Sequence, residues 1–311
     1  MSEARLQLPE PLDTQLTRYL VYLKNERAYS SHTISNYRRS LISLVTFLAG
    51  QDIKAWPQVT EGDLKQWLVQ FRTARLKASS ISLKLSAVKG LFNFLLVKRM
   101  VEHDPSALLQ APKQEKRLPK NIDVDEVSQL LNFTPEATIE FRDKAIMELF
   151  YSSGLRLSEL ASLSLSDLQL QQGELLVTGK GNKQRVVPVG RLAIDAIQQW
   201  IKVRGEFNKD NLPALFISKL GNRLSTRQIQ QRLKYWAQRQ GLASSLHPHK
   251  IRHSFATHML ESSQDLRAVQ ELLGHANLST TQVYTHLDFQ HLAKVYDSAH
   301  PRARQKDKSK T

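Results

Sequence analysis

Ala111-Pro112-Lys113-Gln114-Glu115-Lys116-Arg117-Leu118-Pro119-Lys120-Asn121 carries two prolines and a run of charge across eleven residues. No apolar period, whether of 3.6 or of two residues, survives across it, because proline removes a backbone donor and the charged side chains favour water. The stretch reads as an interdomain linker. With 311 residues in the chain, a domain on each side is the natural expectation.

On the N-terminal side, from Leu12 to about Ala111, apolar residues recur at helical spacing: Leu16, Tyr19, Leu20 and Leu23, then Leu41, Leu44, Val45 and Leu48. Thr60-Glu61-Gly62-Asp63 has the form of a capped helix start before Leu64, Trp67 and Leu68. Ile81, Leu85, Val88, Phe92 and Leu95 outline one face of a further helix. A bundle of about four helices is predicted.

On the C-terminal side the pattern is mixed. Helical spacing runs from Asp123 to Leu131 and again through Phe141, Ala145, Ile146, Leu149 and Phe150, ending at Gly154. Leu175-Leu176-Val177 and Val186-Val187-Pro188-Val189 flank a Gly-Lys-Gly-Asn-Lys turn at 179–183, which predicts a β-hairpin with a lysine at its tip. Helices follow over 192–203, 226–240, 248–260, 266–273 and 280–296. The last eleven residues, from Pro301, hold five Lys or Arg and one Asp and read as a basic tail.

Lys and Arg number 44 against 29 Asp and Glu, a formal charge of +15. Up to Pro112 there are 15 basic and 9 acidic residues (+6), and after it 29 and 20 (+9), so both halves favour a polyanionic partner, with nucleic acid first among them. The plain alternative is charge spread over solvated helix faces. There is no cysteine, which excludes disulfides, zinc-cysteine sites and thiol catalysis and agrees with a reducing cytosol. The start, Met1 to Asp13, lacks the basic and apolar segments of a signal peptide. The longest apolar patch, Leu91 to Val97, is too short to span a bilayer. A cytoplasmic protein is expected.

The densest cluster of chemistry is His247-Pro248-His249-Lys250-Ile251-Arg252-His253, with His258 beyond it and Leu273-Gly274-His275 and Tyr284 downstream. His249 and Arg252, three apart on a helix, share a face, so a proton-transfer group and a phosphate-binding fork can meet one target. That suits phosphodiester chemistry, whose transition state gathers negative charge on non-bridging oxygens that planar guanidiniums bind in pairs. Arg252 and Arg156 form the obvious pair. Taken singly, each histidine or arginine reads equally as a structural or solvated side chain. His249 and His253 are also spaced like metal ligands, but no HExxH motif, cysteine or acidic cluster completes a shell, so neither metal nor cofactor is expected.

The stretches Ser153-Gly154-Leu155-Arg156-Leu157-Ser158-Glu159-Leu160, His249-Lys250-Ile251-Arg252-His253-Ser254-Phe255-Ala256-Thr257-His258, Leu272-Leu273-Gly274-His275 and Tyr284-Thr285-His286 closely resemble the signature boxes of the tyrosine recombinase (phage integrase) family, in order and spacing. The likeness is greatest to its Xer-type members and covers essentially the whole chain. It implies a mainly α fold with a small β-sheet or hairpin. An N-terminal SAM-like, core-binding helical DNA-binding domain (1–110), a linker (111–121) and a mixed α/β catalytic domain with a basic tail (122–311) would close on DNA as a C-shaped clamp.

The same resemblance implies site-specific recombination through a covalent 3′-phosphotyrosine. Tyr284 matches the nucleophile, Arg156 and Arg252 the arginines that stabilise the transition state, His249 the general acid/base and His275 a second phosphate contact. Lys180 matches the lysine that protonates the leaving 5′ oxygen, although Lys183 and Arg185 lie close enough to blur that assignment. The implied partners are double-stranded DNA with a dif-like site, a XerD-like recombinase in a heterotetramer, and an FtsK-like septum translocase as activator. Lys77, Ser79, Lys84 and Arg227 are plausible DNA contacts. The helix Phe289 to Ala299, with Leu292, Val295 and Tyr296 on one face, would dock into a neighbouring protomer or pack within its own domain. Two alternatives stand beside this reading: a type IB topoisomerase, which the N-terminal bundle disfavours, and a non-catalytic DNA-binding protein whose arginines merely hold phosphates.

Overall fold

The computed structural model describes residues 9–112, 122–179, 182–208, 210–242, 246–274 and 286–302, with the backbone alone over 286–291 and at 293. The chain divides into two units, Met1–Arg117 and Leu118–Thr311. Most of the stretch read as a linker, residues 113–121, lies outside the described residues, as do the basic tail from 303 onward, Lys180, His275 and Tyr284.

The first unit is built from α1 (Glu10–Asn25), α2 (Ser31–Gly50), α3 (Glu61–Thr73) and α4 (Ala78–Val97). The caps are where the residue types place them. Ser30 accepts from the Thr33 amide at the start of α2, and at α3 the Asp63 amide donates to Thr60 Oγ1 (3.3 Å) while the Thr60 amide donates back to Asp63 (2.8 Å). Leu16, Tyr19 and Leu23 meet Leu41, Leu44, Val45 and Leu48 in one core with Trp67. By length and composition α4 could cross a membrane, with a mean hydropathy of 1.4 over an apolar helix longer than the patch 91–97. Its residues Ile81, Leu85, Val88, Phe92 and Leu95 are spent in the bundle core instead. Gly90 is required there, since a side chain at that position would collide with the Tyr19 hydroxyl.

The second unit surrounds α6 (Thr138–Ser153), a helix buried on nearly every side by α5 (Val124–Leu131), α7 (Leu157–Ser162), α8 (Arg191–Arg204), α9 (Thr226–Arg239) and α10 (Pro248–Ser263). Beside them lies an antiparallel sheet in the order β1 (Leu168–Gln169), β2 (Glu174–Thr178), β3 (Gln184–Pro188). Leu175 pairs with Val187 and Val177 with Arg185. β1 leaves no mark in the sequence pattern, because two residues carry no period. α11 (Leu266–Leu273) and α12 (His286–Ala299) complete the unit. The helix expected from Thr280 is described from His286; residues 280–285 are outside the described set.

For α12 the second of its two readings, packing within its own domain, is what the described residues show. The face proposed for docking into a neighbour is covered by the chain's own domain: Leu292 and Tyr296 are buried, and α12 packs on α10, α11 and β3. The Tyr296 and Ser152 hydroxyls are hydrogen-bonded at 2.7 Å, His300 stacks on Tyr296, and Arg302 forks onto Glu148 at 2.5 and 2.9 Å. Burial therefore holds the Tyr296 phenol neutral and pushes His300 down to about 3.

Candidate active site

Two helices end on left-handed glycines, and those ends create the site. α6 stops at Gly154 (φ 53°), where the Phe255 ring fills the space that a side chain would need. α11 stops at Gly274 (φ 65°). A helix C-terminus exposes carbonyls and the negative end of its dipole, so it attracts cations.

Two arginines answer. Arg252, on α10, donates to the carbonyls of Gly154 and Leu273. Arg156, at the start of α7, donates from Nη2 to the Gly274 carbonyl (2.9 Å) and from Nη1 to Glu159 (2.8 Å). Residues about a hundred positions apart in the chain are thus gathered by backbone acceptors. Burial, with the neighbouring charges of Arg156 and Arg185, lowers Arg252 to about 10 despite the opposing pull of Glu159. It remains a cation at neutral pH.

The carboxylate beneath them escaped the sequence reading. Glu159 is buried and accepts from Arg185 Nη1 (2.8 Å) and Nη2 (3.0 Å) as well as from the Arg156 side chain and amide (2.7 Å). Burial alone would raise its pKa; the hydrogen bonds from Arg185 and the Arg156 amide outweigh that and hold it down to about 2. By sequence alone Arg185 lies close enough to Lys180 to compete for its role. It is a buried side chain on the core-facing phase of β3, and Lys183 is exposed. A charged residue at a buried strand phase, with Glu159 three residues after Arg156, was the signal available.

Of the other residues singled out, His249 is exposed on α10 one turn before Arg252. His258 belongs to the core, its Nδ1 bonded to the Tyr151 hydroxyl at 2.9 Å, and burial lowers its pKa. Lys180, His275 and Tyr284 fall outside the described residues, but their flanks are placed. The Gly179 amide closes the hairpin onto the Lys183 carbonyl (2.7 Å), and His275 directly follows Gly274. Lys77, Ser79 and Arg227 are exposed, while Lys84 lies half-buried over the Phe71 ring at 4.3 Å.

Two guanidiniums thus lie together, Arg252 on carbonyls and Arg156 on a carbonyl and Glu159, with exposed His249 one turn from Arg252, an arrangement with the charge and donors to bind a phosphate. The phage integrase family matches residues 120–291, and the phage integrase N-terminal SAM-like domain matches residues 16–99. The chain is 56% identical over 294 residues to the tyrosine recombinase XerC of Haemophilus influenzae (strain PittEE), covering 94% of this chain and 99% of that one. The chain belongs to the tyrosine recombinase (phage integrase) family. The XerC of Vibrio parahaemolyticus serotype O3:K6 (strain RIMD 2210633) is 48% identical over 300 residues, covering 96% and 97% of the two chains. Among solved structures, the fold is similar to the XerH site-specific recombinase bound to a palindromic difH substrate (TM-score 0.70, 22% identity, 94% and 97% covered). It is also similar to a lambda integrase (75–356) dimer bound to a COC′ core site (TM-score 0.64, 19% identity, 88% and 99% covered). This protein is a site-specific recombinase with the two-part architecture of its family, mostly helical with one small antiparallel sheet.

Proposed function

We propose that this recombinase cuts and rejoins double-stranded DNA with Tyr284 as nucleophile. The Tyr284 oxygen attacks the scissile phosphorus and the bond to the 5′ oxygen breaks, leaving a 3′-phosphotyrosine and a 5′-hydroxyl. His249 takes the phenolic proton and Lys180 protonates the departing oxygen. Arg156, Arg252 and His275 hold the non-bridging oxygens as negative charge develops. Because the phosphodiester energy is retained in the tyrosyl bond, rejoining is the reverse step and needs no energy source. What carries this reading is the gathering of Arg156 and Arg252 onto the ends of α6 and α11, with His249 one turn from Arg252 and His275 next in the chain after Gly274.

The domain assignment follows: a core-binding domain over 1–110 and a catalytic domain over 122–311, joined by 111–121 and closing on DNA as a clamp. Backbone charge supplies affinity, and salt weakens it steeply. The likeness to XerC proteins supports a finer role in the cytoplasm. There the chain acts on a dif-type site in a heterotetramer with a XerD-like recombinase, activated by an FtsK-like translocase, resolving chromosome dimers so that chromosomes partition at cell division. No cofactor enters this chemistry.

The test is a nicked suicide substrate carrying a dif-like site, with the partner recombinase present, scored for a covalent protein-DNA band. Wild type gives a band that survives denaturation, and Tyr284→Phe gives none. Sequence-specific binding without a band, across several candidate sites and with the partner confirmed active, would favour the non-catalytic DNA-binding alternative.

A further inference from the structure

We propose that Arg185 is a positioning residue that neutralises Glu159, so that Arg156 keeps its own charge for the scissile phosphate. The inference rests on the recombinase reading above and adds a function for a residue outside the six assigned there.

Glu159 is hydrogen-bonded to Arg156 through both side chain and amide, which fixes Arg156 in place. A carboxylate in that position also cancels the charge it holds. With Arg156 and Glu159 alone the pair is neutral, and of the two arginines that face the phosphate only Arg252 would count electrostatically. Arg185 changes the balance. Its fork engages both oxygens of Glu159, at 2.8 and 3.0 Å, so the three residues together carry one net positive charge and the group with Arg252 carries two.

The burial of Arg185 is otherwise hard to justify. Its side chain is 8% exposed on a strand phase shared with Val187, and its Nε is buried with no hydrogen-bond partner among the described residues. An unsatisfied buried donor is a cost that a hydrophobic side chain opposite Val177 would avoid. The Arg185 side chain also packs against Gly274, where a Cβ would come within 3.0 Å of Nε and 3.1 Å of Cζ. It therefore sits between Glu159 and the end of α11. A lysine has no planar fork to engage both oxygens. Because β3 also carries one arm of the hairpin that bears Lys180, the same contact ties that arm to the carboxylate that holds Arg156.

The experiment uses the full-length protein with its partner, under single-turnover conditions at saturating DNA, on two nicked substrates. One has an ordinary scissile phosphodiester and the other a methylphosphonate, which lacks the negative charge. Thermal melts establish that each variant is folded at the assay temperature. On the phosphodiester, Arg185→Gln slows covalent bond formation by about 10²-fold, with the DNA concentration for half-saturation nearly unchanged. On the methylphosphonate, where Glu159 has no charge to repel, the defect shrinks to about threefold or less. Adding Glu159→Gln to Arg185→Gln recovers about tenfold on the phosphodiester, and Arg185→Lys lies between wild type and Arg185→Gln. An equal defect on both substrates, or no recovery in the double variant, would show Arg185 to be a structural residue and overturn the proposal. A wild-type rate in Arg185→Gln would do the same. A wild type that forms no covalent bond on the ordinary substrate would instead defeat the recombinase reading on which the proposal stands.

Discussion

Among its described residues the catalytic unit has two buried carboxylates each held by two arginines, and they are built to opposite ends. Asp143 accepts from Arg142 (2.8 and 3.2 Å), from Arg232 (2.6 Å) and from the Trp236 indole (3.0 Å). Arg142 closes on the Ile217 carbonyl and is 4% exposed, and Arg232 lies over the Tyr235 ring. Arg142 faces protein while Arg232 is 26% exposed, and the network ties α6 to α9. Glu159 likewise holds Arg185 and Arg156, but Arg156 keeps 39% of its side chain exposed and, among the described residues, Arg252 is held beside it by carbonyls. Whether a site stays charged depends on what holds its cations. A carboxylate positions a guanidinium and cancels it, whereas a helix-terminal carbonyl positions it and leaves most of its charge available.

The contrast can be broken most directly at Asp143. Asp143→Ala leaves two arginines without their counter-charge, one of them deeply buried, and is expected to cost about 3–5 kcal/mol in urea denaturation. A loss below about 1 kcal/mol would place that network with weak surface pairs. At the other carboxylate the loss should appear in chemistry. Arg156→Ala is expected to slow covalent complex formation by about 10²–10³-fold while changing unfolding free energy by no more than about 1 kcal/mol. Equal destabilisation by the two substitutions would erase the distinction between them.

The smallest effect is in acid. The folded-state pKa of Glu159 is depressed to about 2, so its contribution to stability is fully present above the ordinary carboxylate range and is lost as pH falls toward 2. Denaturant midpoints of wild type should therefore decline with acidification across that window, and those of Glu159→Gln should decline less. Parallel curves would show that the arginines do not hold this carboxylate ionised.

Much of the fold was legible because it depends on local regularities. The α4 face of Ile81, Leu85, Val88, Phe92 and Leu95, the Thr60 cap and the Gly154 stop are written at helical spacing, and each is found where its pattern lies. The hairpin followed from alternation about a glycine-containing turn. β1 did not, being too short to have a period, and the burial of α12 did not, because an apolar stripe says only that something covers it.

The same division holds for the site. The chain's order of residues determined the family boxes and with them Arg156, His249 and Arg252 as candidates, since types and spacings are properties of the polymer alone. That Glu159 and Arg185 stand behind Arg156, that His258 belongs to the core and that Tyr296 faces its own domain come from the folded arrangement. Those outcomes depend on which helix ends meet in space. A charge is functional or structural according to what surrounds it, and its surroundings come from residues a hundred positions away.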